Sequence, residues 1–171
     1  MPDSPQVLIL MGSDSDLAVM QEAADVLDRF GVRYEIRISS AHRCPDRTAA
    51  LAGGAEARGI RAIIAGAGMA AHLAGVVAAA TTLPVIGVPM PGGALNGVDA
   101  LYATVQMPGG IPVATMAIGR AGAKNAGLFA VQILALTDDQ LAQALKDYRR
   151  EMEDEVASKD AALQAARRTQ K

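Results

Sequence analysis

Apolar positions along the chain come in two rhythms. Near-continuous apolar runs, QVLILMG (6–12), RAIIAGAG (61–68) and LPVIGVPM (83–90), read as short buried strands. VRYEIRI (32–38) alternates as a half-covered strand does, and GIPVATMAIG (110–119) is a fifth candidate. Between these runs the spacing becomes helical. In DSDLAVMQEAADVLDRFG, Leu17, Met20, Ala24 and Leu27 share one face and Gly31 supplies a stop. PDRTAALAGGAEARG (45–59) opens on Pro45, which suits a first helical turn, and carries a Gly53–Gly54 pair in its middle. AAHLAGVVAAAT (70–81) is a helix of small residues, and GAKNAGLFAVQILAL (122–136) is a longer one.

Strands alternating with helices at this spacing predict βαβ units, a parallel sheet of about five strands and right-handed crossovers, an α/β class. In such folds ligands bind beyond the carboxyl ends of the strands. MGSDSD, SSAHR, GAGMAAH and VPMPGG all fall at that end. The stretch 138–168 differs. Leu141, Leu145, Tyr148, Met152 and Val156 form an apolar stripe on an amphipathic helix expected over about 138–157, with a polar tail expected to fray after it. The whole, 1–171, is expected to be one domain with its core over about 6–136.

Composition narrows the functional classes. Of the 171 residues 51% are hydrophobic, which argues against extended disorder. Aromatic residues make up 3% and Trp is absent, which argues against nucleic-acid binding by base stacking and, more weakly, against a flavin held between rings. A net charge of -2 with no basic stripe excludes nucleic acid and other polyanions as expected partners, but not a single phosphate held by backbone amides. One cysteine rules out an intramolecular disulfide and a cysteine-rich metal site. His42 and His72 are the only two histidines, thirty positions apart, with no matching cysteine or carboxylate set, so no metal is expected. The N-terminal stretch lacks a signal-peptide pattern and no apolar run reaches a membrane span, so the expected setting is the cytoplasm, with no membrane partner.

Four motifs carry candidate chemistry. MGSDSD joins a strand to a helix. Gly12 permits close backbone approach, Ser13 and Ser15 offer hydroxyls and the helix start offers amides, all suited to phosphate; Asp14 or Asp16 can accept from a ribose hydroxyl. Ordinary helix capping by Ser and Asp accounts for the same residues. In SSAHR, Arg43 suits bidentate phosphate binding and His42 can exchange a proton near neutral pH; a solvated loop is the plainer reading. Cys44 beside them is a weak candidate nucleophile. GAGMAAHLAG offers small residues around His72 against which a planar ligand could lie, or merely close helix–sheet packing. QMPGGIPVAT reads as a rigid loop that either lines a pocket or turns the chain.

Taken together, MGSDSD, SAHRCPDR, AGAGMAAHLAG, PVIGVP, LNGVDALYATVQMPGGIPVATMAIG and AKNAG resemble, in order and spacing, the bacterial-type (class I) 5-(carboxyamino)imidazole ribonucleotide mutases of purine biosynthesis, over about residues 6–150. The resemblance implies a three-layer flavodoxin-like sandwich, a homo-octamer, no cofactor, and a phosphorylated imidazole ribonucleotide substrate whose carboxylate moves from the exocyclic nitrogen to ring carbon 4. Carried over, it assigns substrate binding to Ser13 and Asp16. It puts the phosphate end on Ser40 and Arg43 with Ala41 between them, and makes His42 the general acid/base. Gly68, Ala70, Ala71 and His72 lie against the carboxylate and imidazole. Three positions depart from the family pattern: Cys44 where Thr is usual, Met69 where a second Gly is common, and Ala74 where Pro is common. The other readings are a carboxylase taking free carbon dioxide, whose loop usually differs from GAGMAAHL, and a non-catalytic nucleotide-binding module.

Overall fold

A computed structural model describes residues 4–168. In chain order they form β1 (Val7–Met11), a 3-10 turn (Asp14–Asp16), α1 (Leu17–Arg29), β2 (Tyr34–Ile38), α2 (Pro45–Gly53), a second 3-10 turn (Glu56–Arg58), β3 (Ala62–Ala67), α3 (Leu73–Ala79), β4 (Val85–Pro89), α4 (Val98–Val105), β5 (Ala114–Thr115), α5 (Arg120–Ala135) and α6 (Asp139–Arg168). The five strands make one all-parallel sheet in the order β2-β1-β3-β4-β5. The chain steps from β1 outward to β2, then returns to the other side of β1 for β3. The connections leaving β1 and β3 therefore diverge, and a crevice opens at the carboxyl ends of these two strands.

Successive strand residues point to opposite faces. On one face Leu8, Leu10, Ile63 and Ala65 pack with Leu73, Ala74 and Val77 of α3 and with Ala52 of α2. A Cβ added at Gly87 would meet the Thr104 methyl of α4 and the Ala74 Cβ of α3, so these two helices share that face. On the other face a Cβ at Gly66 would stand 2.5 Å from Met20 Sδ, so α1 lies there and needs a bare backbone to do so. At Gly127 of α5 an added Cβ would come within 2.9 Å of both Ala23 O and Val26 Cβ of α1, which sets α5 directly on α1. The result is the expected three-layer sandwich. Full burial of β1 and of Ile63, Ile64 and Ile86 supplies about 1.5–3 kcal/mol per large side chain.

The residue pattern and the structure part company in four places. The span 45–59 does not form one helix: it breaks at Gly53–Gly54, the pair whose backbone freedom a helix must give up, and resumes as a 3-10 turn. The fifth strand keeps only Ala114–Thr115 of the expected 110–119, because Pro112 brings no N–H to a ladder. An unforeseen helix, α4, occupies Val98–Val105; it is short, rich in β-branched residues and entered through Gly97 at φ 88. The C-terminal helix continues to Arg168 instead of fraying after about residue 157.

The chain divides into two compact units, Met1–Ile133 and Leu134–Lys171. Within the second, α6 starts at a cap: the Asp138 carboxylate accepts from the amides of Gln140 (3.0 Å) and Leu141 (3.1 Å). Its later turns are exposed and rest on good helix formers and on the Lys159–Glu155 pair at i, i+4. No helix of the described residues is long and apolar enough to cross a membrane.

Candidate active site

The crevice beside β1 and β3 holds a cavity of about 330 Å³ lined by Gly12, Ser13, Ser15, Asp16, Ser40, Ala41, His42, Arg43, Ala67, Gly68, Met69, Ala70, His72 and Leu73. Three loops supply these residues, those after β1, β2 and β3. Nine of the ten residues singled out for the site line it. Ala71 does not: it is 1% exposed and turned into the protein. Gly12, Ser15, Ala67, Met69 and Leu73 complete the lining; Gly12 and Ser15 belong to MGSDSD and the other three to GAGMAAHLAG.

After β1, Ser13 does two jobs at once. Its hydroxyl accepts from the Ser15 amide (3.3 Å) and the Ser15 hydroxyl (3.0 Å), which caps the 3-10 turn, and the same residue lines the cavity. The same hydroxyl donates to the Asp14 carboxylate (3.0 Å), so a ligand contact at Ser13 has to replace one of these bonds. Asp16 ends the turn half-buried. That burial pushes its carboxyl above the usual carboxylate value, against the Ser13 amide-side and Ser15 hydrogen bonds that pull it down.

After β2, a network of side chains fixes the loop. Ser39 continues the strand pairing through its amide to Met11 O (2.8 Å), and its hydroxyl pairs with that of Thr48 (2.8 Å); both residues are buried. Thr48 also donates to Cys44 O (3.2 Å). The Cys44 sulfur accepts from the Ser40 amide and donates to the Ser40 carbonyl, each at 3.2 Å. The Ser40 hydroxyl accepts from the Arg43 amide (3.3 Å). His42 and Arg43 are thus carried on a tight, internally bonded turn, with both side chains exposed toward the cavity. The nearby Ser39 hydroxyl lowers the Cys44 thiol below its ordinary value; the Ser40 amide and the Arg47 and Arg43 charges add to this, and burial opposes it. Cys44 does not line the cavity, which removes it as a nucleophile for anything bound there.

After β3, the loop is held by its backbone. The Ala71 amide donates to Met69 O and the His72 amide to Ala70 O, both at 2.8 Å. Met69 sits at φ 55, in the left-handed region, a conformation costing a non-glycine residue about 1–2 kcal/mol. The loop ends by presenting His72 at the mouth of α3.

The two loops meet through their histidines. His42 Nε2 lies 2.7 Å from His72 Nδ1, with ring planes 79° apart. One nitrogen must donate and the other accept, so the two rings cannot both be imidazolium while the bond stands. A proton on either ring is then shared with, or relayed from, the other. With Arg43, the Ser13 and Ser40 hydroxyls and the amides of the β1 turn beside it, the cavity offers anion binding and one mobile proton. Among the described residues no group of three His, Cys, Asp or Glu gathers as a metal ion would require.

Comparison with known proteins bears on this arrangement. Residues 6–155 match the family model described as AIR carboxylase. The chain is 56% identical over 155 residues to the N5-carboxyaminoimidazole ribonucleotide mutase of Thermotoga maritima, covering 91% of this chain and 90% of that protein. It is 54% identical over 151 residues to the mutase of the same name from Escherichia coli K12, covering 88% and 89%. Among solved structures, Treponema denticola PurE superposes with a TM-score of 0.83 at 33% identity, covering 93% of this chain and 98% of that one.

Proposed function

This chain belongs to the AIR carboxylase family, and from that premise we propose how its three strand-end loops divide the work of an N5-carboxyaminoimidazole ribonucleotide mutase. It is an isomerase of purine biosynthesis, a reading supported by relatives at 54–56% identity named N5-carboxyaminoimidazole ribonucleotide mutase. The observation that carries the assignment of roles is the His42–His72 hydrogen bond across the cavity mouth. Arg43, Ser40 and the amides around Ala41 hold the substrate's phosphate end, and Ser13 and Asp16 hold its ribose side. Gly68 and Ala70, through backbone and small side chains, let the flat imidazole lie close, with His72 beside it.

His42 moves the proton. As imidazolium it protonates the exocyclic nitrogen of the carbamate. The C–N bond breaks, its electron pair stays on nitrogen, and carbon dioxide and aminoimidazole ribonucleotide form together. Carbon 4 of the electron-rich ring then attacks carbon dioxide and a C–C bond forms. Neutral His42 takes the proton from carbon 4, which restores the aromatic ring and returns the imidazolium. An imidazole suits both steps because its ordinary pKa lies near neutral pH. His72 holds the His42 ring in place and receives its proton when no substrate is bound. Keeping carbon dioxide beside the ring replaces a dilute encounter with a positioned one.

The same reading includes one folded domain, a cytoplasmic setting and assembly into a homo-octamer. An exposed apolar face at Leu95, Val98, Tyr102 and Val105, spaced by three, four and three residues along and just before α4, supports self-association. Mixing the protein with N5-carboxyaminoimidazole ribonucleotide and following the ultraviolet spectrum tests the function: the carbon-carboxylated product forms. Product from aminoimidazole ribonucleotide at low bicarbonate would instead mark a carboxylase, and binding without conversion a non-catalytic module.

A further inference from the structure

We propose that the last turns of α6 form an antiparallel pair with the same turns of a second copy of this chain. The apolar stripe of the helix does not stop where its burial stops. Leu141, Leu145, Tyr148 and Met152 are buried or half-buried. The same face continues at steps of four and seven residues to Val156 and Leu163, which are 66% and 55% exposed. Every residue from Glu153 to Arg168 is exposed. Val156 and Leu163 also lie past residue 155, where the match to the family model ends. Two exposed aliphatic side chains are ordinary by themselves. The charges around them say what covers them.

Glu153, Asp160 and Arg167 recur every seven residues and so follow one flank of the stripe, while Lys159 stands on it between Val156 and Leu163. Turned end over end about the midpoint between Lys159 and Asp160, the helix complements itself. Val156 then meets the partner's Leu163, and Lys159 comes opposite the partner's Asp160. Glu153 comes within one residue of the partner's Arg167. The two-fold symmetry makes each of these pairs twice. Lys159 also pairs with Glu155 of its own helix, and its ammonium keeps donors for a second carboxylate. A parallel alignment does the reverse: it sets the acidic turn at 151–155 beside the same turn of the other chain, and Arg167 and Arg168 beside their own copies. Within one chain Glu153 and Arg167 are fourteen residues apart, about 21 Å along the helix axis, so their complementarity can be used only between chains. Flanking charges of this kind fix both the partner and its direction in paired helices.

The test is disulfide trapping in the full chain, with Cys44→Thr as background so that no other thiol is present. Under mild oxidation Val156→Cys/Leu163→Cys should give a covalent dimer on a non-reducing denaturing gel. It should form about tenfold faster than with Val156→Cys alone, because two copies of residue 156 lie roughly 10 Å apart along the axes and a disulfide spans at most about 7 Å between Cα atoms. In the double-cysteine protein, Glu153→Arg or Arg167→Glu sets like charges together and should slow trapping about threefold, and the two substitutions combined should restore the original rate. Equal trapping by Val156→Cys alone would mean a parallel pair. No trapping in the double-cysteine protein, or charge reversals that do not rescue each other, would mean that something other than a second α6 covers the stripe. Each of these results overturns the inference. None of the substituted positions lines the cavity, so the mutase reading stands or falls separately.

Discussion

The loops after β2 and β3 face each other across one cavity and are built in opposite ways. The first is pinned from beneath by side chains: the buried Ser39–Thr48 hydroxyl pair, and the Cys44 sulfur bonded to both ends of the Ser40 peptide. The second is shaped by two short backbone bonds and a left-handed Met69. The difference suits two tasks. A group that gives and takes a proton has to be held within a few tenths of an ångström of its target, and a buried hydroxyl network does that. A wall that must lie against a flat ligand and then release it needs small residues and a backbone free to give. His42 and His72 join the two across 2.7 Å.

Breaking the pinned side at its working residue should have the largest effect. His42→Asn should leave substrate binding within a few-fold of the parent while turnover falls by roughly 10²–10⁴, measured by calorimetric titration beside the spectrophotometric assay. Breaking the network beneath it comes next. Thr48→Val leaves the buried Ser39 hydroxyl with only the Cys44 sulfur, 3.6 Å away, and should cost about 1–3 kcal/mol in urea unfolding, with kcat lowered more than KM is raised as the turn loosens.

Cys44→Thr sharpens the comparison in the other direction. Cys44 occupies the N-cap of α2 without making a side-chain cap bond. A threonine hydroxyl there can cap the helix, so the variant should gain about 0.5–2 kcal/mol with turnover unchanged, read by thermal unfolding and assay. The smallest effect is expected at the third loop. Burial raises the Asp16 carboxyl in the folded protein. Its contribution to stability is therefore full below the ordinary carboxylate range near pH 4 and is lost as pH rises through the raised value. Asp16→Asn should accordingly be slightly more stable than the parent at pH 7, and the difference should vanish in acid, as thermal unfolding across pH 3 to 7 would register.

The contrast also explains what was legible in the residue pattern. Chemistry-bearing residues at strand ends stand out by type, and the family resemblance singled out Ser13, Asp16, Ser40, His42, Arg43 and His72, all of which line the cavity; alternation implied a parallel sheet but not the order of its strands. The buried Ser39–Thr48 pair was not legible, since two hydroxyls nine residues apart carry no periodic signal and only the tight turn at Pro45 brings them together. The His42–His72 bond was missed for the same reason: it depends on β1 lying between β2 and β3 in the sheet. Ala71 was misplaced because small residues of one loop look alike in sequence, while the backbone turns one of them inward. Helix α4 escaped because its apolar face is exposed, so its pattern does not match that of a helix packed within a single chain.

That the two loops act as one proton-transfer unit is tested most directly by a double-mutant cycle on His42 and His72, reading kcat for His42→Asn, His72→Asn and the pair. If His72 works through His42, the second substitution should cost nothing once the first is in place, and the double variant should turn over as slowly as His42→Asn alone. Losses that multiply would mean that the two histidines act independently, and would contradict the account.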